Sequence, residues 1–168
     1  MKTKITATVT LIFGFILGII FTAAALNISA KEMMVKELKS PYDFEKTVRV
    51  VENRINEQPG WHVTNVIDQN IAVKENGGFE IGNFTIIKYC NGKLSAEMLK
   101  SDDRKKIGTM MPKSFAVYEK SDGQVFISTM NGAVMGKLFG GETERMIEES
   151  SLDVESIMRF VNLKFTLF

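Results

Sequence analysis

One cysteine and one histidine are all that this chain of 168 residues contains. A lone Cys90 cannot close an intrachain disulfide, so the fold does not rest on a disulfide framework. A lone His62 rules out a multi-histidine metal site. Charge of one sign is also missing: 21 Lys and Arg face 20 Asp and Glu, a net charge of +1. Nucleic-acid binding draws on clustered basic residues, and none are clustered here, so no nucleic-acid partner is expected. No glycine-rich phosphate loop is present either. Gly77-Gly78 and Gly140-Gly141 match neither G-x-G-x-x-G nor the P-loop pattern. The acidic pairs Asp102-Asp103 and Glu148-Glu149 lack the alternating spacing of a calcium loop. No catalytic motif is legible and no cofactor is implied by motif. An unrecognised enzyme built from common residues and backbone groups is the remaining catalytic alternative.

What is present begins with an uncharged apolar run from Ile5 to Ile28. As a helix it would be about 36 Å long, against a hydrocarbon core of roughly 30 Å. Lys2 and Lys4 precede it, which predicts a cytoplasmic N-terminus and an exported remainder. Residues 1–30 therefore read as a transmembrane anchor or signal segment, with a span of about 5–28. Residues 31–168 read as a single globular domain. Ala23-Ala24-Ala25 offers a competing signal-peptidase site after Ala25, which would leave the domain secreted or periplasmic. Gly14 and Gly18 form a G-x-x-x-G pair, whose small side chains let two membrane helices approach closely. The expected partners are thus the membrane and, through that face, a second copy as a homodimer.

Within the domain, Lys31–Leu38 reads as a first strand. Ser40-Pro41-Tyr42-Asp43 then opens a helix, with Ser40 as cap and Pro41 in the first turn. Phe44, Val48, Val51 and Ile55 follow at spacings of four, three and four, the apolar stripe of a 3.6-residue period. If Phe44 is core, Phe44→Ala costs about 3–5 kcal/mol. Pro59-Gly60 ends the helix. Trp61–Ile67 and Phe84–Cys90 read as strands around the turn residues Asn76-Gly77-Gly78. Leu94–Lys100 reads as a short helix, followed by a polar connection from Ser101. Phe115–Glu119 and Gln124–Met130 form a hairpin marked by Asp122-Gly123. Gly132–Phe139 and Thr143–Val161 are helices, the second with Met146, Val154, Ile157, Met158 and Val161 on one side. The order β-α-β-β-α-β-β-α-α predicts an α+β two-layer sandwich, with a mainly antiparallel sheet and helices on one face. The tail from Asn162 to Phe168 is apolar, and no role follows from the sequence.

At this resolution the chain resembles a known family. Ser40–Val48 (SPYDFEKTV), Pro59–Val63 (PGWHV), Tyr89–Arg104 (YCNGKLSAEMLKSDDR) and Met110–Asn131 (MMPKSFAVYEKSDGQVFISTMN) stand in this order. Together with Leu138-Phe139-Gly140-Gly141 they are similar to the domain-of-unknown-function 302 family over about residues 33–161. The resemblance implies a compact two-layer α/β fold and no established activity, substrate or catalytic residue. Members often carry Asn-Pro where this chain has Asn91-Gly92, and many carry Cys where it has Lys113. A thiol-based role is therefore not carried over.

Soft-ligand chemistry is the sharpest signal among single residues. The chain holds 10 methionines, and thioether and thiolate sulfur suit Cu(I). Cys90, Met98, Met110 and Met111 lie within or after one strand-helix unit, while Met130 and Met135 follow the later hairpin. Their convergence at one sheet end would make a soft-metal or haem-type ligand site, with Cys90, Met110 and Met111 its first candidates and His62 an auxiliary one. The plainer reading is core filling, methionine's usual work. The leading expectation is a membrane-tethered, extracytoplasmic binding or interaction module without catalysis of its own. Its contact patch would lie near Met110–Pro112.

Overall fold

The structure, a computed structural model, describes residues 10–22 and 33–165. Two compact units result, Met1–Met34 and Val35–Phe168. In the first, residues 10–22 form helix α1, whose large apolar side chains, Phe13, Phe15 and Phe21 among them, are exposed. Gly14 and Gly18 lie on it with open space beside each. Among the described residues no helix is long and apolar enough to cross a membrane. The expected span 5–28 runs past both ends of α1, and its outer parts, like the Ala25 site, lie outside the described residues.

The second unit is built on five strands: β1 (Val35–Lys39), β2 (Trp61–Asp68), β3 (Phe84–Asn91), β4 (Lys113–Glu119) and β5 (Val125–Met130). Their order across the sheet is β1-β5-β4-β3-β2, and every neighbouring pair is antiparallel. The helices are α2 (Phe44–Glu57), α3 (Gln69–Glu75), α4 (Gly92–Leu99), α5 (Gly132–Phe139) and α6 (Gly141–Ile157), with 3-10 turns at Asp102–Met110 and Arg159–Val161. This is the expected α+β class, an antiparallel sheet with helices packed on it.

Alternation along the strands decides which side is core. Thr85, Ile87 and Tyr89 of β3, Phe115 and Val117 of β4, and Val125, Ile127 and Thr129 of β5 are buried. Each set recurs every second residue, as a pleated strand requires. Val51 and Ile55 of α2 and Val154 and Ile157 of α6 close the same core. The edge strand β1 is held by side chains as well as its ladder: Glu37 accepts from the Tyr118 hydroxyl and from Lys120 Nζ at 2.8 Å. Those two bonds hold the Glu37 carboxyl below its ordinary pKa.

Local details depart from the sequence expectations in four places. The cap of α2 is Asp43, whose carboxylate accepts from the Lys46 amide at 2.8 Å; Ser40 and Pro41 precede the helix. Ser40 instead pairs its hydroxyl with Thr47 Oγ1 at 2.6 Å, tying the entering chain to the first turn. Phe44 and Val48 are half-buried while Val51 and Ile55 are sealed, so Phe44→Ala falls below the core cost stated above. A helix, α3, separates β2 from β3. Asp68 caps it by accepting from the Ile71 amide at 2.9 Å, and it buries none of its residues. With no apolar stripe to bury, it leaves no periodic signature. The polar stretch after Ser101 is likewise ordered as a 3-10 turn, fastened by Arg104 to the Glu97 and Met98 carbonyls.

Candidate functional site

Where β3 ends and β4 begins, the sheet and helices α4, α5 and α6 enclose a cavity of about 260 Å3. Its wall is mostly apolar, and six methionines contribute to it: Met98, Met110, Met111, Met130, Met135 and Met146. They arrive from α4, the 3-10 turn, the end of β5, α5 and α6. Cys90 lines the same space. The sulfur residues that the sequence marks as candidates, from Cys90 to Met135, thus share one cavity, having been scattered over 46 positions of chain inclusive. Cys90 Sγ lies 3.0 Å from Ser95 Oγ, and Ser95 Oγ donates to the Asn91 carbonyl at 2.8 Å. Among the described residues no cluster of three His, Cys, Asp or Glu side chains could hold a metal ion, so any metal there would rest on thioethers and one thiol.

The polar groups of the cavity are few, and two are residues that sequence reasoning missed. Lys113 opens β4 directly opposite Tyr89 of β3 in the sheet register, which places both side chains on the core face. Lys113 Nζ donates to Ser150 Oγ at 2.7 Å. Ser150 Oγ passes its own hydrogen to the Ile147 carbonyl at 2.8 Å. The ammonium also stands 5.9 Å from the centre of the Trp61 ring, within cation–π range. No carboxylate lies within ion-pair distance of it among the described residues. Lys113 as a residue is half-buried, but desolvation at the amine pulls it down to about 8, and the charge of Asp153 only partly offsets this. Asp153 itself is engaged elsewhere: Oδ1 accepts from Gln58 Nε2 at 3.0 Å and Oδ2 from Trp61 Nε1 at 2.8 Å.

Tyr89 is fully buried, stacked on Phe115 at 4.7 Å between ring centres and tilted against Trp61 at 5.5 Å. Its hydroxyl has no hydrogen-bond partner of good geometry. The neighbouring Thr129 hydroxyl donates to the Ser114 carbonyl at 3.1 Å instead. Burial drives the Tyr89 phenol far above its ordinary pKa, so it stays a neutral donor. An unmade hydrogen bond on a buried hydroxyl costs about 1–3 kcal/mol. The cavity wall therefore includes a desolvated cation and a buried hydroxyl without a well-formed hydrogen bond, in an apolar, thioether-rich setting.

The other sequence candidates fall elsewhere. His62 is exposed on β2, paired in register with Cys90. Asp102, Asp103, Glu148 and Glu149 are exposed. Gly77 follows α3 and Gly140 joins α5 to α6, both at positive φ. Met110 and Met111 are half-buried and Pro112 is exposed, and all three border the cavity. The Met110–Pro112 segment thus forms one edge of the pocket. A signal for Lys113 did exist. It shares the odd-numbered side of β4 with Phe115 and Val117, and a lysine on the core side of a strand is rare unless paired.

A family model described as "Domain of unknown function DUF302" matches residues 36–161. The crystal structure of an uncharacterized conserved DUF302 protein from Bacillus stearothermophilus superposes with a TM-score of 0.66 at 15% sequence identity, covering 77% of this chain and 98% of that one. At that identity the likeness speaks to the fold alone. No curated protein matches the chain.

Proposed function

The chain belongs to the DUF302 family, and since that membership carries no activity, we propose from the cavity's own chemistry that it is a small-molecule binding module without catalysis, tethered to a membrane on its outer side. The observation that carries the binding reading is the pairing of Lys113 and Tyr89 in a cavity of about 260 Å3. Ligand pockets are concave, mostly apolar and furnished with a few convergent polar groups. At this volume the ligand is smaller than the drug-sized molecules held by pockets of roughly 300–1,000 Å3. Catalysis calls for a nucleophile or base oriented by a third group, and Lys113 is oriented only by Ser150. The tether reading rests on the uncharged run from Ile5 to Ile28 behind Lys2 and Lys4, and on the exposed apolar side chains of α1, which water does not favour.

Native mass spectrometry on the full chain from its own host tests the binding reading. The expected spectrum carries one organic adduct per chain, lost on denaturation. A chain that is always at its bare mass, and whose melting temperature no small apolar solute shifts, would sink it.

A second reading draws on a separate observation, the gathering of Cys90 and six methionine sulfurs on that cavity. It makes the cavity a Cu(I) site. Metal analysis of the same sample would then give stoichiometric copper, reduced by Cys90→Ser or Met111→Leu with the fold intact. The Lys113 ammonium argues for the organic ligand, because a second cation in the same desolvated space is repelled.

A further inference from the structure

The polar end of the cavity is specific enough to name a ligand class, an inference that rests on the binding reading above. We infer that the cavity takes a small monocarboxylate with a flexible apolar body, its two oxygens received by Lys113 Nζ and the Tyr89 hydroxyl.

Four observations lead there. First, Lys113 and Tyr89 are direct cross-strand partners, and both line the cavity. Second, the Lys113 ammonium has hydrogens to spare. One goes to Ser150, whose own hydrogen is committed to the Ile147 carbonyl, and an ammonium carries three. Third, the nearby anion is Asp153, whose two oxygens already accept from Gln58 and Trp61 and whose charge only partly offsets the burial of the amine. A desolvated cation with only a partial counter-charge is costly, and a bound carboxylate completes that charge. Fourth, the buried Tyr89 hydroxyl makes no hydrogen bond of good geometry, with the Thr129 hydroxyl beside it, and a carboxylate oxygen is an acceptor only.

The same inventory excludes other ligands. A phosphate dianion would call for more cation than one lysine, and for the forked donors of arginine that suit it. An amine would meet Lys113 with like charge. The body of the ligand follows from the wall. Methionine side chains are flexible and polarizable and repack around varied shapes, which suits an unbranched chain better than a rigid ring.

Trp61, the one tryptophan in the chain, lines the cavity and reports on it by its emission. The experiment titrates the full chain with hexanoate, hexan-1-ol and hexylamine at pH 7, following Trp61 emission and melting temperature. Hexanoate is expected to bind roughly tenfold or more tightly than the alcohol, the scale of one charge-assisted hydrogen bond, with the amine weaker still. Lys113→Met should abolish that preference, and Tyr89→Phe should weaken hexanoate alone. Equal affinities for acid and alcohol overturn the carboxylate inference and leave the binding reading standing. If none of the three moves emission or melting temperature, both fall.

Should the Lys113 variant fail to fold, pH gives an independent arm on the unaltered chain. Hexanoate affinity is expected to fall as pH rises past about 8, where the Lys113 amine gives up its charge. The titratable groups around that amine are Tyr89 and Cys90 on β3 and Asp153 on α6. Tyr89 stays neutral throughout, and a Cys90→Ser chain run in parallel removes the thiol. A preference for acid over alcohol that is unchanged between pH 7 and pH 10 overturns the inference.

Discussion

At the scale of single residues, the molecule keeps one costly feature. Lys113 carries its charge into a site where burial lowers the amine from an ordinary 10.5 to about 8. Between those two pH values the unfolded chain holds a proton that the folded chain has released. Stability therefore rises with pH across this window, because the penalty for a buried charge is relieved as Lys113 is neutralised. Below about pH 8 the penalty is present in full. The expected gain from pH 7 to pH 10 is on the order of 2–3 kcal/mol, read from urea denaturation without ligand. Lys113→Met should flatten that rise and be the more stable protein at pH 7, as apolar replacements of buried charges often are. A rise of the same size in the variant would assign it to other groups. Tyr89 complements this picture. The ring is stacked on Phe115 and tilted against Trp61, whereas the hydroxyl makes no hydrogen bond of good geometry.

At the scale of elements, α5 and α6 both line the cavity and pack closely against each other. Gly132 and Gly136 make that approach, one turn apart on α5. A Cβ added at Gly132 would stand 1.9 Å from Ser151 Oγ and 3.1 Å from its Cβ. Ser151 cannot swing aside freely, since its hydroxyl donates to the Ile147 carbonyl at 2.7 Å. Gly132→Ala is therefore expected to cost about 1–3 kcal/mol, the usual penalty of overpacking, although alanine is the better helix former. At Gly136 the nearest atom stands at 3.4 Å, so Gly136→Ala should be nearly neutral. The pair measured together by thermal melts separates packing from propensity: losses of equal size at both glycines would contradict the close-approach account. The α2 boundary belongs to this scale too. Asp43 rather than Ser40 caps the helix because its carboxylate stands three residues ahead of the Lys46 amide, the spacing a capping side chain reaches.

At the scale of the whole molecule, the tethered reading makes its own prediction. In intact cells an added protease should degrade the Val35–Phe168 unit, and alkaline carbonate should leave the full chain in the membrane fraction. Full protection of that unit with the membrane intact would overturn the outward orientation.

The sequence by itself determined the class of the fold. Period-two burial in β3, β4 and β5, the Asp122-Gly123 turn and the apolar stripes of α2 and α6 are local patterns, and each is legible within about twenty residues because it repeats. It also placed the methionines and Cys90 as the residues to watch. It did not show α3, which buries nothing and so has no period to read. Nor did it show the Lys113–Tyr89 pair. Those two residues stand 24 positions apart, and only the β3–β4 register sets them side by side. Ser150, which holds the ammonium, arrives from a helix 37 residues further on. A site of this kind is decided by the tertiary structure because its chemistry lies in the burial of a charge and a donor, and burial is a property of what surrounds a residue rather than of the residue itself.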